Sequence, residues 1–224
     1  FTVTPVWSIK NIYANDRTVV GVSKHLLSSR EQPDFTAIYL IGLDRCCHAF
    51  WGPMRPWTVD MIHPEGFNET FGNVIPRYYE RVDQMIGEIL DAVDENSTVI
   101  VCSDHGFRGP YRTKEGIQLG IQMHSLVGVF AARGPGIRNG AEPRDASVFD
   151  ITPTILALFG EPVARDMDGF VIEEAISEEH LERYPIAYID TYETEEERER
   201  PDEPLESPVD DEIKEQLRSL GYID

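Results

Sequence analysis

The sequence has little positive charge: 20 Lys and Arg residues stand against 40 Asp and Glu, a formal net charge of −20 at pH 7. The residues from Glu173 onward hold 19 of the acids and only 5 of the bases. Residues 1–172 hold the other 21 acids and 15 bases, a net charge of −6. Nucleic-acid backbones and anionic membranes both favour Lys and Arg patches, so neither is expected as a partner. A phosphate-bearing substrate would have to be held by something other than bulk positive charge.

Cysteines and long apolar runs are also few. Three cysteines, of which Cys46 and Cys47 are neighbours, do not make a disulfide framework. They do not indicate whether the protein belongs to an oxidising or a reducing compartment. No apolar run approaches the ~20 residues that cross a bilayer, and the N-terminus lacks a basic-then-apolar signal pattern. No membrane segment is therefore predicted. A hydrophobic content of 41% over 224 residues is still enough for a folded core.

Apolar periodicity predicts alternating strands and helices, and therefore an α/β fold. Helical spacing covers residues 11–29, 74–93 and 150–160. Nearly continuous apolar runs predict strands over residues 35–44, over a stretch that ends at Asp104, and within residues 126–137. Such runs are typical of parallel strands buried on both faces. The first two strands and the helix between them form a βαβ unit with the expected right-handed crossover.

The chain is predicted to contain one domain with a tail. Residues 1–191 form the domain, and residues 192–211 form an acidic linker, because their Glu, Arg and Pro residues lack apolar periodicity. A helical stripe returns at Ile213, Leu217 and Leu220, so residues 212–224 are predicted to form a helix that packs on the domain.

Acids end the first two predicted strands, and imidazoles follow both. Asp44 is followed at position 48 by His48, whereas Asp104 is followed directly by His105. A third imidazole, His124, precedes the next strand. Ligand sites in open parallel sheets lie at the carboxyl ends of the strands, so these side chains are expected to converge. Carboxylate with neutral imidazole suits Zn²⁺, Mn²⁺ or Fe. Each motif alone is more typical of a capped turn, but the two together favour a metal site.

Four stretches, in order, resemble the alkaline phosphatase superfamily, specifically its type I phosphodiesterase / nucleotide pyrophosphatase branch. They are YLIGLDRCCHAFWG, VIVCSDHGF, HSLVGVFAARGPGI and VFDITPTILALFGEPVARDMDGF, and they fall within residues 34–172. The resemblance implies a three-layer α/β/α fold around a mainly parallel central sheet. It also implies phosphoester hydrolysis at two divalent ions, Zn²⁺ or alternatively Mn²⁺. By resemblance, Asp44, His48 and His124 hold one ion, and Asp104 and His105 hold the other.

The same resemblance implies a Thr or Ser nucleophile that attacks phosphorus to give a covalent intermediate. Thr2 and Thr4 resemble the nucleophile segment only loosely: they lie about 40 residues before Asp44, and no strand-ending Asp precedes them. The nucleophile is therefore expected upstream of this chain. The chain is interpreted as the C-terminal part of a longer hydrolase, whose N-terminal segment would be its partner.

Two residues are candidates for binding a phosphate-ester substrate. Arg108 has a guanidinium suited to a phosphate, although a surface ion pair is an equal alternative. Trp51 is a candidate for one wall of a leaving-group pocket, with a core anchor as the alternative.

The rival to an enzyme is a non-catalytic or degenerate metal-binding module that kept the fold. Because related branches hydrolyse sulfate esters or isomerise phosphosugars, sulfatase and phosphomutase activities are further alternatives.

Overall fold

The computed structural model of the chain describes residues 5–29, 32–55, 65–108, 111–113, 116–118, 124–194 and Lys214. The α-helices are α1 Pro5–Leu27, α2 Gly42–Met54, α3 Phe67–Phe71, α4 Val74–Leu90, α5 Ile151–Phe159 and α6 Glu178–Arg183. Short 3₁₀ turns span Val148–Asp150 and Glu173–Ala175. The strands are β1 Val99–Cys102, β2 Gly106–Phe107, β3 Tyr111–Thr113, β4 Gly116–Gln118, β5 His124–Ser125, β6 Phe130–Arg133, β7 Val163–Ala164 and β8 Tyr188–Ile189.

The chain divides into two compact units. The first contains residues 1–95 and 105–126, and the second contains residues 96–104 and 127–224. Within the described residues, no helix has the length and apolar character needed to cross a bilayer.

Helices α1, α2 and α4 build the core of the first unit. Val20 and Leu27 of α1 pack against Met85 and Ile89 of α4. Two further clusters contain α2, one formed by Ile12, Cys46 and Tyr78 and the other by Cys47, Phe50 and Ile75. Since α2 buries residues three and four positions apart, one face of this helix is packed on the core.

The predicted helices of the first unit are confirmed, but α1 does not bury all the apolar residues of its helical pattern. Val22 and Leu26, two apolar residues of that pattern, are 54% and 48% exposed. Asp16 and Ser23 are buried instead. The buried row Ile12, Asp16, Val20 continues at a helical spacing of four, so a carboxylate lies within the packed stripe.

The strand predicted over residues 35–44 is wrong. Residues 35–41 form no strand, and α2 begins at Gly42, which places Asp44 in the first turn of a helix. Side chains from Phe35 to Leu40 alternate between exposed and half-buried. Ile38 and Leu40 pack on the core of α1 and α4. A short apolar run fits a strand and a buried segment equally well, so periodicity did not separate the two.

Strand pairing differs from a mainly parallel sheet. The described strands form four two-stranded sheets, of which only the β7–β8 pair is parallel. In the second unit β1 and β6 are strands as predicted, but they pair antiparallel, with Val99 opposite Arg133. The mixture of helices and strands agrees with the predicted α/β class, whereas the described residues contain no mainly parallel central sheet. The side chains of β1 and β6 are half-buried or exposed, so the prediction of strands buried on both faces is wrong as well. An apolar run also carries no information on strand direction.

Helix α5 of the second unit follows the predicted helix at residues 150–160. Gly160 ends it in the left-handed conformation with φ 73°. Asp150 is the residue before this helix, and with Ser147 it forms a reciprocal capping box around the preceding 3₁₀ turn. The other carboxylate oxygen of Asp150 accepts from the Phe170 N–H at 2.7 Å, which ties residue 170 to this turn.

Thr154 is expected to make a measurable contribution to the stability of the second unit. Its hydroxyl donates to the Asp150 carbonyl at 2.6 Å and accepts from the Ile172 N–H at 2.9 Å, in a fully buried position. Thr154→Val keeps the shape but removes the acceptor of the buried Ile172 N–H, which should cost about 1–3 kcal/mol in chemical unfolding. Thr18→Val, which removes an exposed hydroxyl bond to Ala14, should change stability by no more than about 0.5 kcal/mol. Equal effects of the two substitutions would contradict this account.

Most of the predicted tail lies outside the described residues. Of the predicted linker, residues 195–211 fall there, and of the predicted C-terminal helix only Lys214 is described. Both assignments stay predictions.

Candidate metal centre

Helix α2 presents Asp44 and His48 on one face. The two residues are four positions apart, and residues at this spacing lie above one another on a helix. Nε2 of His48 lies 3.3 Å from Oδ1 of Asp44. The helical turn after Gly42 thus brings together the acid and imidazole that the sequence placed at a strand end.

The short β2–β5 ladder and the residue before it supply two further imidazoles. His124 is the first residue of β5 and pairs with Phe107, while His105 immediately precedes β2. The rings of His105 and His124 stack with centroids 3.7 Å apart and an interplanar angle of 13°. Two segments that are 19 residues apart in sequence therefore hold their imidazoles side by side.

All three imidazoles face the same carboxylate oxygen. Nε2 of His48, of His124 and of His105 lie 3.3, 3.4 and 3.9 Å from Oδ1 of Asp44. The Nε2 atoms of His48 and His124 are 2.9 Å apart. Asp44, His48 and His124 form a group whose ligand atoms all lie within 4.8 Å of one another.

This donor set fits a divalent cation. Oδ1 of Asp44 is buried and makes no hydrogen bond, although a buried carboxylate oxygen is costly without a partner. Ligand atoms about 2.0–2.1 Å from a tetrahedral Zn²⁺ lie about 3.3–3.4 Å from one another. The distances from Oδ1 of Asp44 to Nε2 of His48 and to Nε2 of His124 match that spacing. A cation among these atoms would therefore give the buried oxygen a partner.

Protonation favours the same interpretation. Burial lowers the pKa of His48, with the neighbouring imidazoles acting in the same direction and Asp44 opposing them. Nδ1 of His105 lies 2.9 Å from the Gly106 carbonyl, which can only accept, so Nδ1 carries the proton. Nε2 of His105 is the ring nitrogen that faces Asp44, which is the orientation found in metal-bound histidines.

Aromatic side chains border the imidazoles. The Phe107 ring lies 5.1 Å from that of His48 and 5.1 Å from that of Trp51. Trp51 is half-buried against the Cys47–Phe50 cluster, and its Nε1 is buried without a hydrogen bond. The structure thus shows Trp51 as a packing residue beside the site, and its predicted contact with substrate stays a prediction. Arg108 is exposed, and its substrate role is likewise a prediction.

The family comparison matches the part of the chain that carries most of these residues. Residues 5–120, about half of the 224, match the family described as type I phosphodiesterase / nucleotide pyrophosphatase, in the alkaline phosphatase superfamily. The chain belongs to this family. The matched range includes Asp44, His48 and His105, whereas His124 lies four residues beyond its end. No curated protein and no solved structure matched the chain.

Membership of the phosphodiesterase family supports hydrolase activity at the coarse level, and this family generally uses divalent metals. Asp104 is an exposed residue of the second unit, and its assignment to a second ion is a prediction. Thr2 and Thr4 lie outside the described residues.

Two residues of the first unit that bear on this site were missed by the sequence prediction. Asp16 and Tyr78 are buried at the start of α2, next to Gly42. The available signal was the position of Asp16 on the apolar stripe of α1, where a carboxylate is rare unless it has a partner.

A cleft of about 690 Å³ in the second unit carries none of the predicted metal ligands. It is lined by β6 and by the loop that follows it, within residues 130–146, together with Ala175. Chemistry of the predicted kind is therefore assigned to the histidine group of the first unit.

Cys46 and Cys47 are expected to be unreactive packing residues. Burial raises the pKa of both thiols to about 12, so neither supplies a thiolate at neutral pH. Cys102 is exposed. We expect a thiol reagent at pH 8 to label one cysteine rapidly in the native protein and all three in denaturant. Cys102→Ser should remove the rapid phase; a rapid phase that persists in this variant would contradict the burial of the other two.

Proposed function

We propose that this chain carries the metal-binding part of a phosphoester hydrolase that acts on a phosphodiester or phosphomonoester of a small molecule. The observation that carries the proposal is the buried oxygen of Asp44, which faces three imidazole nitrogens in a chain of the type I phosphodiesterase family. For the full-length protein we propose the three-layer architecture of the superfamily around a mainly parallel sheet.

Two divalent ions, Zn²⁺ or alternatively Mn²⁺, are proposed as cofactors. Asp44, His48 and His124 would hold one ion, and Asp104 and His105 would hold the other. Bound ions of this kind supply positive charge that polarises a phosphoryl group and offsets the charge developing on its oxygens. Such charge is needed here, because residues 1–172 have a net charge of −6.

The side chains of this chain hold and orient the reacting group. Asp44 supplies the negative charge of the site, and the imidazoles supply neutral nitrogen donors. Trp51 and Phe107, whose rings lie beside the imidazole of His48, are proposed to contact the leaving group. Arg108 is proposed to bind the phosphate. The Ser or Thr nucleophile is proposed to come from a segment upstream of this chain.

Hydrolysis of p-nitrophenyl monoesters and diesters by the full-length gene product tests this proposal. We expect release of p-nitrophenol that a chelator abolishes and that added Zn²⁺ or Mn²⁺ restores. The preferred ester distinguishes a phosphatase from a phosphodiesterase, and p-nitrophenyl sulfate serves as the control for sulfatase activity. A full-length protein that binds metal but hydrolyses none of these esters would contradict the proposal and favour a degenerate module.

A further inference from the structure

Helix α2, which carries Asp44 and His48, has no cap of its own. The N–H groups in the first turn of a helix need acceptors, which a Ser, Thr, Asp or Asn before the helix usually supplies. Here the residue before the helix is Ile41, whose side chain has no acceptor. The start of α2 is buried at Gly42, so water does not readily replace the missing cap.

Asp16 of α1 supplies the missing acceptor. Its two carboxylate oxygens lie 3.2 and 3.1 Å from the Gly42 nitrogen, and the Tyr78 hydroxyl donates to Oδ2 at 2.8 Å. Asp16 is fully buried and Tyr78 nearly so, which removes competition from water. A carboxylate at a helix N-terminus also interacts favourably with the helix dipole.

The approach of Asp16 to α2 depends on glycine at position 42. A Cβ at this position would lie 2.1 Å from the Tyr78 hydroxyl and 2.2 Å from Oδ2 of Asp16. The start of α2 is therefore clamped between side chains of α1 and α4 in a space that fits only a residue without a side chain.

We propose that Asp16 is a positioning residue for the metal centre, holding the first turn of α2 so that Asp44 and His48 meet the imidazoles of the β2–β5 ladder. Asp44 is two residues from Gly42, and His48 is one turn further along the same helix. His105 and His124 belong to other segments of the first unit, so the four ligand atoms converge only when α2 is fixed in place. Displacements near 0.5 Å are enough to spoil such a site. The inference rests on the metal site proposed above.

Burial of the Asp16 carboxylate in this core is costly unless the carboxylate has partners. Burial raises the pKa of Asp16, since it disfavours the charged form, while hydrogen bonds from Tyr78 and Gly42 and the charge of Arg45 act in the opposite direction. The clamp offsets part of the cost of burying the acid.

Metal titration of the full chain tests the inference. Asp16→Asn keeps the volume but replaces one acceptor oxygen with an NH₂ donor that faces a backbone N–H or the Tyr78 hydroxyl. We expect its Kd for Zn²⁺ to rise about tenfold and the visible spectrum of its Co²⁺ form to change, because ligand geometry sets that spectrum. Tyr78→Phe, which removes one donor and keeps the acceptor, should show a smaller effect in the same direction.

Val20→Ala is the matched control. Val20 lies one turn along α1 from Asp16, is equally buried and packs on Leu27 and on α4. It should lower the melting temperature but leave Zn²⁺ affinity and the Co²⁺ spectrum unchanged. The inference is overturned if Asp16→Asn binds Zn²⁺ and Co²⁺ like the wild type. It is also overturned if Val20→Ala weakens Zn²⁺ binding as much as Asp16→Asn does.

Hydrogen exchange in metal-free protein separates this inference from the proposed function. The Gly42 amide should exchange faster in Asp16→Asn than in the wild type, whether or not metal binds. If the wild type binds neither ion, the metal centre is wrong, and unchanged exchange at Gly42 would also overturn the role of Asp16.

Discussion

Asp44→Ala is expected to abolish metal binding at the histidine group without unfolding the protein. The substitution removes the oxygen that His48, His105 and His124 all face. Since that oxygen has no hydrogen bond, its loss should leave the metal-free protein at least as stable as before. At a Zn²⁺ concentration of 100 times the Kd of this site, the ion held by Asp44, His48 and His124 should stabilise the wild type by about 2.7 kcal/mol, a rise in melting temperature of roughly 5–10 °C. The variant should lose this gain.

The same substitution in the full-length protein should reduce ester hydrolysis by roughly a thousandfold or more, because bound ions contribute several kcal/mol to a phosphoryl-transfer transition state. Asp83→Ala, which removes an exposed carboxylate from α4, is the control and should keep wild-type metal content, melting temperature and activity. His124→Ala should behave like Asp44→Ala. Unchanged zinc or manganese content in both ligand variants, measured by elemental analysis, would refute the metal assignment.

Gly42→Ala is expected to have the largest effect on stability. The added methyl group would overlap the Tyr78 hydroxyl and the Asp16 carboxylate, at 2.1 and 2.2 Å. Both groups are buried and bonded to each other, so relief of the overlap breaks hydrogen bonds that water does not replace. Overpacking and the lost bonds together should cost about 2–4 kcal/mol in denaturant unfolding. Metal binding should weaken with it, because Asp44 moves with the start of α2.

Gly87→Ala tests whether this effect comes from the site and not from the type of substitution. Gly87 lies inside α4, and a Cβ there would meet no atom within 4 Å. Alanine favours the helix over glycine by up to about 1 kcal/mol, so this variant should be slightly more stable than the wild type. Similar destabilisation by both substitutions would contradict the clamp around Gly42.

Apolar periodicity alone predicted the main helices correctly but not all of the strands. The helical spacing of Ile75, Tyr78, Met85 and Ile89 predicts α4, and the structure buries all four of these residues. The same method wrongly predicted a strand at residues 35–44, where the run is nearly continuously apolar and no period separates strand from helix. Apolar periodicity also does not predict strand direction, since the pairing of β1 with β6 depends on contacts between residues that are distant in sequence.

The candidate site was predictable in part, for a chemical reason. The sequence predicts Asp44, His48, His105 and His124 as metal ligands, because their side chains are typical of such ligands and they lie in the motifs that resemble the family. The secondary structure predicted for Asp44 was wrong, since this residue lies in the first turn of α2 and not at a strand end. The four-residue spacing still holds the first two ligands together, because a helical turn aligns residues at that distance as well as a tight turn does.

By itself the sequence determined the family, the α/β class and the identity of the ligand side chains, since these depend on local pattern and residue chemistry. Only the tertiary structure decided that α2 replaces a strand and that one oxygen of Asp44 faces three imidazoles. It also showed that Asp16 and Tyr78 enclose Gly42 from two other helices. These features arise from contacts between segments 26–80 residues apart, such as Asp16 with Gly42 and Asp44 with His124, and a local pattern does not encode them.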